Sequence, residues 1–330
     1  MRSVLIRGDG IAACCCAHLL TAAGVSVTIE AGARARVPAI MLSDTALGLL
    51  RDVFGRPDLL AGRPRIERRV VAWGAAAQPV EVPHAAVAAL REGLRIESGP
   101  IADEGHDFLI HTTPALPPSV VQHRFGARRA SAVEVTLRDA NDVTASWIES
   151  TPDGWLFVAP NPAGAVWLLG VGAPLDELLA SSRLIAPRLD TVGAASGAFD
   201  CCPRILAPLC ADDWLACGTS AIAFDPICGD GAAQATREGI LASAVIVARS
   251  RGGDTTRLMS HYQAMMTAAM RRHLGLCVDF YSTGGDGPWW RAERAALLEG
   301  HGWCTAQLAV TPEPQYRLAG FELVEREAAA

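Results

Sequence analysis

Apolar and polar residues at the start of the chain follow the order of a β-strand, a helix and a second strand. Residues 3–7 form a short apolar run that predicts a buried strand, and residues 25–29 form a second run of the same kind. Between them lies a stretch of helical length that begins after Gly10 and stops near Gly24. This order predicts a βαβ unit.

The turn between the first strand and the helix carries a dinucleotide-binding pattern. It reads Gly8-Asp9-Gly10-Ile11-Ala12-Ala13, which matches G-x-G-x-x-A, and Glu30 closes the second strand. Gly8 permits the tight turn, Gly10 lets the backbone approach a pyrophosphate, and Ala13 lets the helix lie close to the strand. The helix N-terminus would then bind phosphate, and Glu30 the adenosine ribose. The alternative is an ordinary βαβ unit without a nucleotide.

The pattern beyond residue 30 predicts an antiparallel sheet followed by long helices. Strands are expected at residues 64–82, 107–110, 132–137, 144–149, 155–159, 165–171 and 214–218, and helices at residues 43–54, 84–94, 175–182, 232–250 and 255–280. Strands 132–137 and 144–149 are expected to form one hairpin, and strands 155–159 and 165–171 another. The segment after Tyr281 is interpreted as a loop and a polar tail.

These elements predict an α/β protein with a Rossmann-like nucleotide-binding domain and an inserted antiparallel β-sheet substrate domain. The strand at 107–110 is expected to rejoin the parallel sheet. The predicted division assigns residues 1–115 and 205–250 to the nucleotide-binding domain, 116–204 to the substrate lobe and 251–330 to a helical C-terminal region.

Composition narrows the class of protein further. The net charge of −6 and the pI near 5.8 argue against a nucleic-acid partner, because there is no basic surplus to neutralise phosphates. No apolar run reaches the roughly 18 residues of a membrane span. The ten cysteines include no C-x-x-C pair, so we expect neither a metal site nor a disulfide framework. Buried thiols in a reducing cytoplasm are the expectation.

A second glycine-rich segment lies far along the chain. It reads Gly218-Thr219-Ser220-Ala221, then Asp225-Pro226, then Gly229-Asp230-Gly231, and Ala232 opens a long helix. Together with the N-terminal turn, this segment resembles the FAD-binding pattern of the flavoprotein family that includes aromatic hydroxylases, geranylgeranyl reductases and flavin-dependent halogenases. In that family the four residues at the start of the segment usually read G-D-A-A. Thr219 therefore stands where the family has the aspartate that bonds the ribityl chain.

The resemblance implies FAD as the cofactor, bound in a site split between the two segments. The helix that opens at Ala232 would direct N–H groups at the flavin edge that becomes anionic on reduction. Asp225 has a second interpretation as a turn residue before Pro226, and Arg36 could contact the adenosine end or lie on the surface. The expected cofactor-binding residues are Gly8, Gly10, Ile11, Ala12, Ala13, Glu30, Arg36, Gly218, Thr219, Asp225, Pro226, Gly229, Gly231 and Ala232.

The resemblance also implies an oxidoreductase, and monooxygenation of an aromatic group through a peroxyflavin is the expected reaction. Residues 154–160 resemble the G-W-x-W-x-I-P segment of halogenase-like members, with Phe157 in place of the second tryptophan. Halogenases of this family use an active-site lysine, and this chain contains none. Arginine is permanently protonated and a poor nucleophile, so halogenation is not expected.

The short chain implies a reduced substrate lobe and an open face over the flavin. In this it resembles the short flavoproteins that modify a tryptophan in quinone-cofactor amine oxidases. The expected substrate is an aromatic small molecule or a protein-borne tryptophan, with electrons from NAD(P)H or a separate flavin reductase. Two alternatives remain open: a reductase or dehydrogenase of the geranylgeranyl-reductase type, and a catalytically degenerate flavoprotein that acts as a maturation partner.

No catalytic residue follows from the pattern alone. The candidates are His111, at the end of the strand 107–110, as an acid or base, and Trp155 and Phe157, near the boundary with the substrate lobe. The alternatives are a structural histidine and hairpin core aromatics. His261 and His273 are expected to be exposed. His123, Arg124 and Arg128 are expected on a solvated surface, with the alternative that an arginine there neutralises an acidic substrate.

Overall fold

The computed structural model describes residues 3–31, 40–63, 65–74, 79–89, 105–113, 116–117, 119–160, 166–194, 197–229 and 231–326. Its strands and helices are, in chain order, β1 (Ser3–Arg7), α1 (Ile11–Ala22), β2 (Ser26–Glu30), β3 (Ile40–Ser43), α2 (Asp44–Phe54), β4 (Arg65–Ala72), β5 (Val80–Ala89), β6 (Phe108–His111), β7 (Val121–Arg124), β8 (Arg129–Leu137), β9 (Ala145–Thr151), β10 (Gly154–Pro160), β11 (Val166–Gly172), α3 (Leu175–Ser181), β12 (Leu189–Val192), β13 (Ala198–Asp200), β14 (Arg204–Ala207), β15 (Trp214–Ala216), β16 (Ile222–Ala223), α4 (Gly231–Ser250), α5 (Thr255–Gly284), α6 (Pro288–Val310), β17 (Tyr316–Ala319) and β18 (Glu322–Glu325).

A four-stranded parallel sheet in the order β15-β6-β1-β2 forms the first lobe. The predicted βαβ unit is confirmed, and β6 joins β1 in parallel register, with Val4 opposite Phe108. Buried apolar side chains of β1 and β6, among them Ile6 and Ile110, pack this sheet against α1 and α4. All four strands end at one edge, which brings the loops that follow them together.

A nine-stranded mixed sheet forms the second lobe, in the order β12-β8-β11-β10-β9-β4-β5-β3, with β13 beside β8. Its pairs are antiparallel except β4 with β9. Strands β3–β5 come from the part of the chain before residue 116, so the chain enters this sheet both before and after β6. The predicted division into domains stays a prediction.

Two local predictions in this sheet are wrong. Strands β8 and β9 do not form a hairpin with each other, because β11 and β10 lie between them and a 3₁₀ turn at Ala140–Thr144 makes the connection. Residues 84–89 continue β5 instead of starting a helix, and residues 90–94 lie outside the described part of the chain. The ladders with β3 and β4 satisfy the β5 backbone from both sides, which overrides the helix propensity of its alanines.

The C-terminal region is more helical than the sequence suggested. α5 extends to Gly284, and α6 occupies part of the segment interpreted as loop and tail. Pro288 stands in the first turn of α6, where a missing N–H costs nothing. His261 and His273, predicted to be exposed, are both buried. Tyr316 of the β17–β18 hairpin lies edge-on to His261, and Phe224 stacks on His273.

The cysteines lie in the interior, as expected of buried thiols. All ten cysteines are free, and every one except the partly buried Cys228 is buried. Among the described residues, no helix has both the length and the hydrophobicity that a bilayer crossing requires.

Candidate functional site

The N-terminal motif lies at the carboxyl edge of the parallel sheet. Gly8 follows β1 with a φ of +117°, and its N–H donates to the Glu30 carbonyl oxygen at 2.7 Å. Thr112, which follows β6, packs directly against Gly8 and donates its hydroxyl to the Arg7 carbonyl at 2.8 Å. A Cβ at position 8 would overlap Thr112 Oγ1, so this turn admits only glycine.

The N-terminus of α1 faces this edge without a side-chain cap. Gly10 is the N-cap residue in extended conformation, and the first turn of α1 contains no acidic residue. Ile11 is partly buried, whereas Ala12 and Ala13 are buried beneath the turn. Such a helix start suits an anionic ligand, because its first N–H groups have no partner within the helix.

The second glycine segment packs against α1. Gly218, at a φ of +65°, follows β15, and a Cβ there would lie 3.0 Å from that of Ala12. In α4, a Cβ at Gly239 would lie 3.0 Å from the Ala12 carbonyl oxygen. Two segments separated by about two hundred residues of chain therefore meet in one region, as a split site requires.

Several residues of the second segment lie at the protein surface. Thr219 is exposed in the 3₁₀ turn Gly218–Ser220, so its hydroxyl is accessible. Gly229, at a φ of +62°, and Gly231, the first residue of α4, are also exposed. Pro226 and Ala232 are partly buried beside them. Gly229, Gly231 and Ala232 lie at the N-terminus of α4, whereas the turn that carries Thr219 contacts α4 further along, at Glu238.

Glu30 ends β2 at the same edge, with its carboxylate half exposed. Its Oε2 accepts from Arg7 Nε at 2.9 Å, since the two residues are register partners of β1 and β2. A ribose would share this carboxylate with Arg7. Arg36, the other residue expected at the adenosine end, lies outside the described residues.

The Asp225 carboxylate is buried at the centre of a hydrogen-bonded network. Its Oδ1 accepts from the N–H of Ile227 at 2.9 Å, which caps the turn Pro226–Cys228. Its Oδ2 accepts from Tyr281 Oη at 2.9 Å and forms an ion pair with Arg128 Nε at 3.1 Å. Asp225 thus fixes the loop that leads into α4.

Arg128 joins this loop to the second lobe and to the C-terminal helices. Its side chain is fully buried, contrary to the predicted solvated surface, because Glu293 of α6 supplies a second carboxylate at 3.2 Å from Nη1. Nη2 donates to the Phe125 carbonyl at 2.7 Å, and the guanidinium lies over the Tyr281 ring. The surrounding charges raise the pKa of Arg128, although burial lowers it, so Arg128 stays a cation.

Trp155 belongs to the same network. Its indole Nε1 donates to Tyr281 Oη at 3.2 Å, and the side chain is fully buried. Phe157, two residues along β10, is partly buried against the main core. His111 is buried at the end of β6, edge-on to Trp214. The three candidate catalytic residues therefore have structural contacts, and a catalytic role for each stays a prediction.

A cavity of about 570 Å³ opens beside the loop that Asp225 fixes. One wall is the large sheet, a second is the loop 224–228, and the third is one face of α5. Apolar and aromatic side chains dominate, and arginines are the charged members. The lining residues are Arg69, Val71, Trp73, Ile148, Phe224, Ile227, Cys228, Gln234, Ala269, Arg272, His273, Leu276, Phe280 and Thr283.

His273 connects this cavity to the network. Its Nε2 accepts from the Asp225 N–H at 2.8 Å, and its ring stacks on Phe224 with a centroid separation of 3.9 Å. Burial, and to a smaller extent Arg128, lowers the pKa of His273 to about 3. The imidazole is therefore neutral at physiological pH.

This neutral histidine predicts a loss of stability in acid. Because the unfolded chain takes up a proton at position 273 below about pH 6.5 and the folded chain does not, the free energy of unfolding falls as pH falls through that value. From pH 7 to pH 5 the contribution is about 2 kcal/mol. In H273Q, whose side-chain amide oxygen can accept from Asp225, urea denaturation should show that much less pH dependence. An equal pH dependence in the two proteins would contradict a neutral His273.

Comparison with known structures places this arrangement in the fold of flavin-dependent halogenases and hydroxylases. The chain superposes on the peptidyl tryptophan dihydroxylase QhpG, essential for tryptophylquinone cofactor biogenesis, with a TM-score of 0.73 and 19% identity, over 98% of this chain and 86% of QhpG. It also superposes on the flavin-dependent halogenase CmlS, with a TM-score of 0.74 and 17% identity, over 97% of this chain and 74% of CmlS.

A third structure with this fold is a flavoprotein/dehydrogenase from Cytophaga hutchinsonii, at a TM-score of 0.62 and 15% identity, over 93% of this chain and 96% of that one. By sequence, no protein-family model and no curated protein matches the chain. The predicted fold class, a Rossmann-like FAD-binding domain with an inserted antiparallel sheet, is confirmed.

Proposed function

We propose that the protein binds FAD and hydroxylates an aromatic group, as a monooxygenase. The main support for the proposal is the position of the apolar cavity. The loop 224–228 forms one wall of this cavity and also leads into the N-terminus of α4. A flavin ring held at that helix N-terminus would lie against the cavity. A substrate in the cavity would then meet the ring in a largely apolar pocket.

The residues of the split site fit FAD by their chemistry. The uncapped N-terminus of α1, with Gly8 and Gly10 before it, suits a pyrophosphate, and the Glu30 carboxylate suits a ribose. The exposed Thr219 hydroxyl would bond the ribityl chain. The N-terminus of α4 would stabilise negative charge on the reduced ring. FAD, when bound, supplies the redox chemistry and the reaction with O₂.

Aromatic side chains and arginines make the cavity suitable for an electron-rich ring. Trp73, Phe224 and Phe280 offer stacking surfaces, and Arg69 and Arg272 offer positive charge. Phe280 and Leu276 are also among the exposed large hydrophobic residues, so apolar surface continues from the cavity to the outside. That continuity favours a bulky aromatic substrate. A tryptophan within a partner protein, the kind of substrate that a peptidyl tryptophan dihydroxylase such as QhpG takes, would satisfy it.

A halogenase with the same cofactor is the competing proposal, since CmlS shares the fold. The two proposals differ in their product, which is a hydroxylated ring for a monooxygenase and a halogenated ring for a halogenase. The absence of lysine from the chain favours hydroxylation, because arginine is a poor nucleophile and cannot carry a halogen in its place.

The test is a titration of the purified protein with FAD, followed by turnover. We expect a flavin absorbance between 350 and 500 nm that survives desalting or saturates on titration. After reduction by NAD(P)H or a flavin reductase in the presence of a tryptophan-containing peptide, ¹⁸O₂ should label the product, with bromide present as a competitor. Failure to bind FAD at high concentration would refute the proposal, and a brominated product would establish the halogenase instead.

A further inference from the structure

Two thiols meet at the wall of the cavity. Cys228 ends the turn Pro226–Cys228, Cys277 lies on α5, and their sulfur atoms are 3.9 Å apart. His273, one helical turn before Cys277, places its Nε2 3.4 Å from Cys277 Sγ. The two cysteines are 49 positions apart in sequence, so tertiary folding alone brings them together.

The contacts of His273 favour thiol chemistry over metal binding at this cluster. Cys228, His273 and Cys277 place their ligand atoms within 4.8 Å of one another, a spacing that would suit a metal ion. However, the Nε2 lone pair already accepts the Asp225 N–H at 2.8 Å, and the stack on Phe224 fixes the ring plane. Coordination would break that buried hydrogen bond, so the two sulfurs are the reactive pair.

Access to the cluster is unequal. Cys228 lines the cavity and is the one cysteine that is not fully buried. Cys277 is enclosed behind it, and the hydrogen bond to Cys228 together with burial raises the pKa of its thiol. A small oxidant in the cavity would therefore reach Cys228 first, with Cys277 as its neighbour.

We propose that Cys228 and Cys277 form a disulfide when a peroxide enters the cavity. In the first step hydrogen peroxide oxidises the Cys228 thiol to a sulfenic acid. The O–O bond of the peroxide breaks, and one water leaves. In the second step the Cys277 sulfur attacks the sulfenic sulfur, the S–O bond breaks, and a second water leaves. Two thiols lose two electrons and one peroxide gains them.

The bridge would join the loop before α4 to α5. That loop borders the region assigned to the flavin, so oxidation would fix the loop and narrow the cavity. Reduced flavin that reacts with O₂ without substrate is a source of hydrogen peroxide in place, and this source rests on the proposed function. The thiol chemistry itself needs only a peroxide, so it can be tested with added hydrogen peroxide whether or not FAD binds.

The experiment treats the full-length protein with stoichiometric hydrogen peroxide, then alkylates remaining thiols, digests with trypsin and analyses peptides by mass spectrometry. Because the chain has no lysine, cleavage occurs at arginine alone and places Cys228 in residues 205–237 and Cys277 in residues 273–291. We expect these two peptides as a linked pair lacking two hydrogens, restored by dithiothreitol. Fragmentation must locate the link at Cys228, since Cys210 and Cys217 share its peptide.

Matched variants distinguish Cys228, the thiol that is oxidised first, from Cys277, the thiol that attacks the sulfenic acid. In C277S, a sulfenic acid on Cys228 should persist and react with dimedone, and in C228S the link should be absent and Cys277 should stay reduced. C210S, at a buried cysteine outside the cluster, should form the link as the wild type does. If a serine variant does not fold, the wild-type peptide map decides alone. No linked pair at full consumption of peroxide, or a link to Cys210 or Cys217, would overturn the proposal.

Discussion

Replacing Arg128 with methionine is expected to lower the free energy of unfolding by about 4 kcal/mol, because the change leaves two buried carboxylates without a cation. Asp225 and Glu293 lie 3.1 and 3.2 Å from the guanidinium nitrogens and would lose their ion pairs together. Urea denaturation at pH 7 measures this loss. Since Asp225 fixes the loop before α4, FAD affinity should fall as well.

The matched control is R124M. Arg124 also pairs with an aspartate, Asp200, but half of its side chain is exposed to water. Exposed ion pairs contribute about 1 kcal/mol or less, so this variant should unfold close to the wild type. If R128M and R124M lowered the free energy of unfolding equally, burial would not be the reason for the contribution of Arg128 to stability.

The cost of R128M should also depend on pH. Burial already raises the pKa of Asp225 above its ordinary value, and Arg128 opposes that rise. Without the guanidinium the pKa rises further, so the folded state binds more protons than the unfolded state from about pH 4 upward. Stability then falls as pH rises, and the deficit of R128M should be larger at pH 8 than at pH 5. The double variant R128M/D225N should recover part of the loss, and no recovery would argue against an unpaired charge as the cause.

Replacing Gly8 with alanine is expected to abolish FAD binding and to destabilise the protein by about 3 kcal/mol, from backbone strain and overpacking together. Position 8 has a φ of +117°, and the added Cβ would overlap Thr112 Oγ1 and Thr113 Cγ2. Either the β1–α1 turn moves or the end of β6 does, and both belong to the site proposed for the pyrophosphate. Flavin fluorescence titration and thermal unfolding measure the two effects.

G24A is the control for strain alone. Gly24 also has a positive φ, +80°, but nothing lies within 4 Å of the position of its Cβ. It follows the C-terminal end of α1, away from the carboxyl edge of the sheet. We expect a loss of about 1 kcal/mol and unchanged FAD affinity. Wild-type FAD affinity in G8A would remove the N-terminal turn from the proposed site.

Local sequence determined the half of the fold that contains the parallel sheet. A buried strand requires apolar residues, and a positive φ favours glycine. The local sequence therefore predicts the strands β1, β2, β6 and β15 and the turns between strand and helix. The fold class followed from these signals and is confirmed by the structural neighbours. The cofactor site residues around them stay predictions.

Local sequence was misleading where partners at long range decide the outcome. The order of β8 and β9 in the sheet depends on strands that follow both of them, and β5 is a strand because β3 and β4 flank it. The helix propensity of an alanine-rich segment is a local property, so it does not predict which strands will pair with that segment. Helix α6 was missed because its buried face includes Glu293 and Gly300, so its apolar residues do not form a regular amphipathic pattern.

Only the tertiary structure placed Arg128, Asp225, Tyr281 and Glu293 in one buried network and brought Cys228 beside Cys277. Each of these residues looks ordinary in its own stretch of chain: an arginine in a polar segment, an aspartate before a proline, single cysteines in a loop and a helix. Burial and pairing are properties of the packed lobes, which meet across segments far apart in sequence. The sequence by itself predicted where a dinucleotide would bind, and the packing of the two lobes decided what surrounds that predicted position.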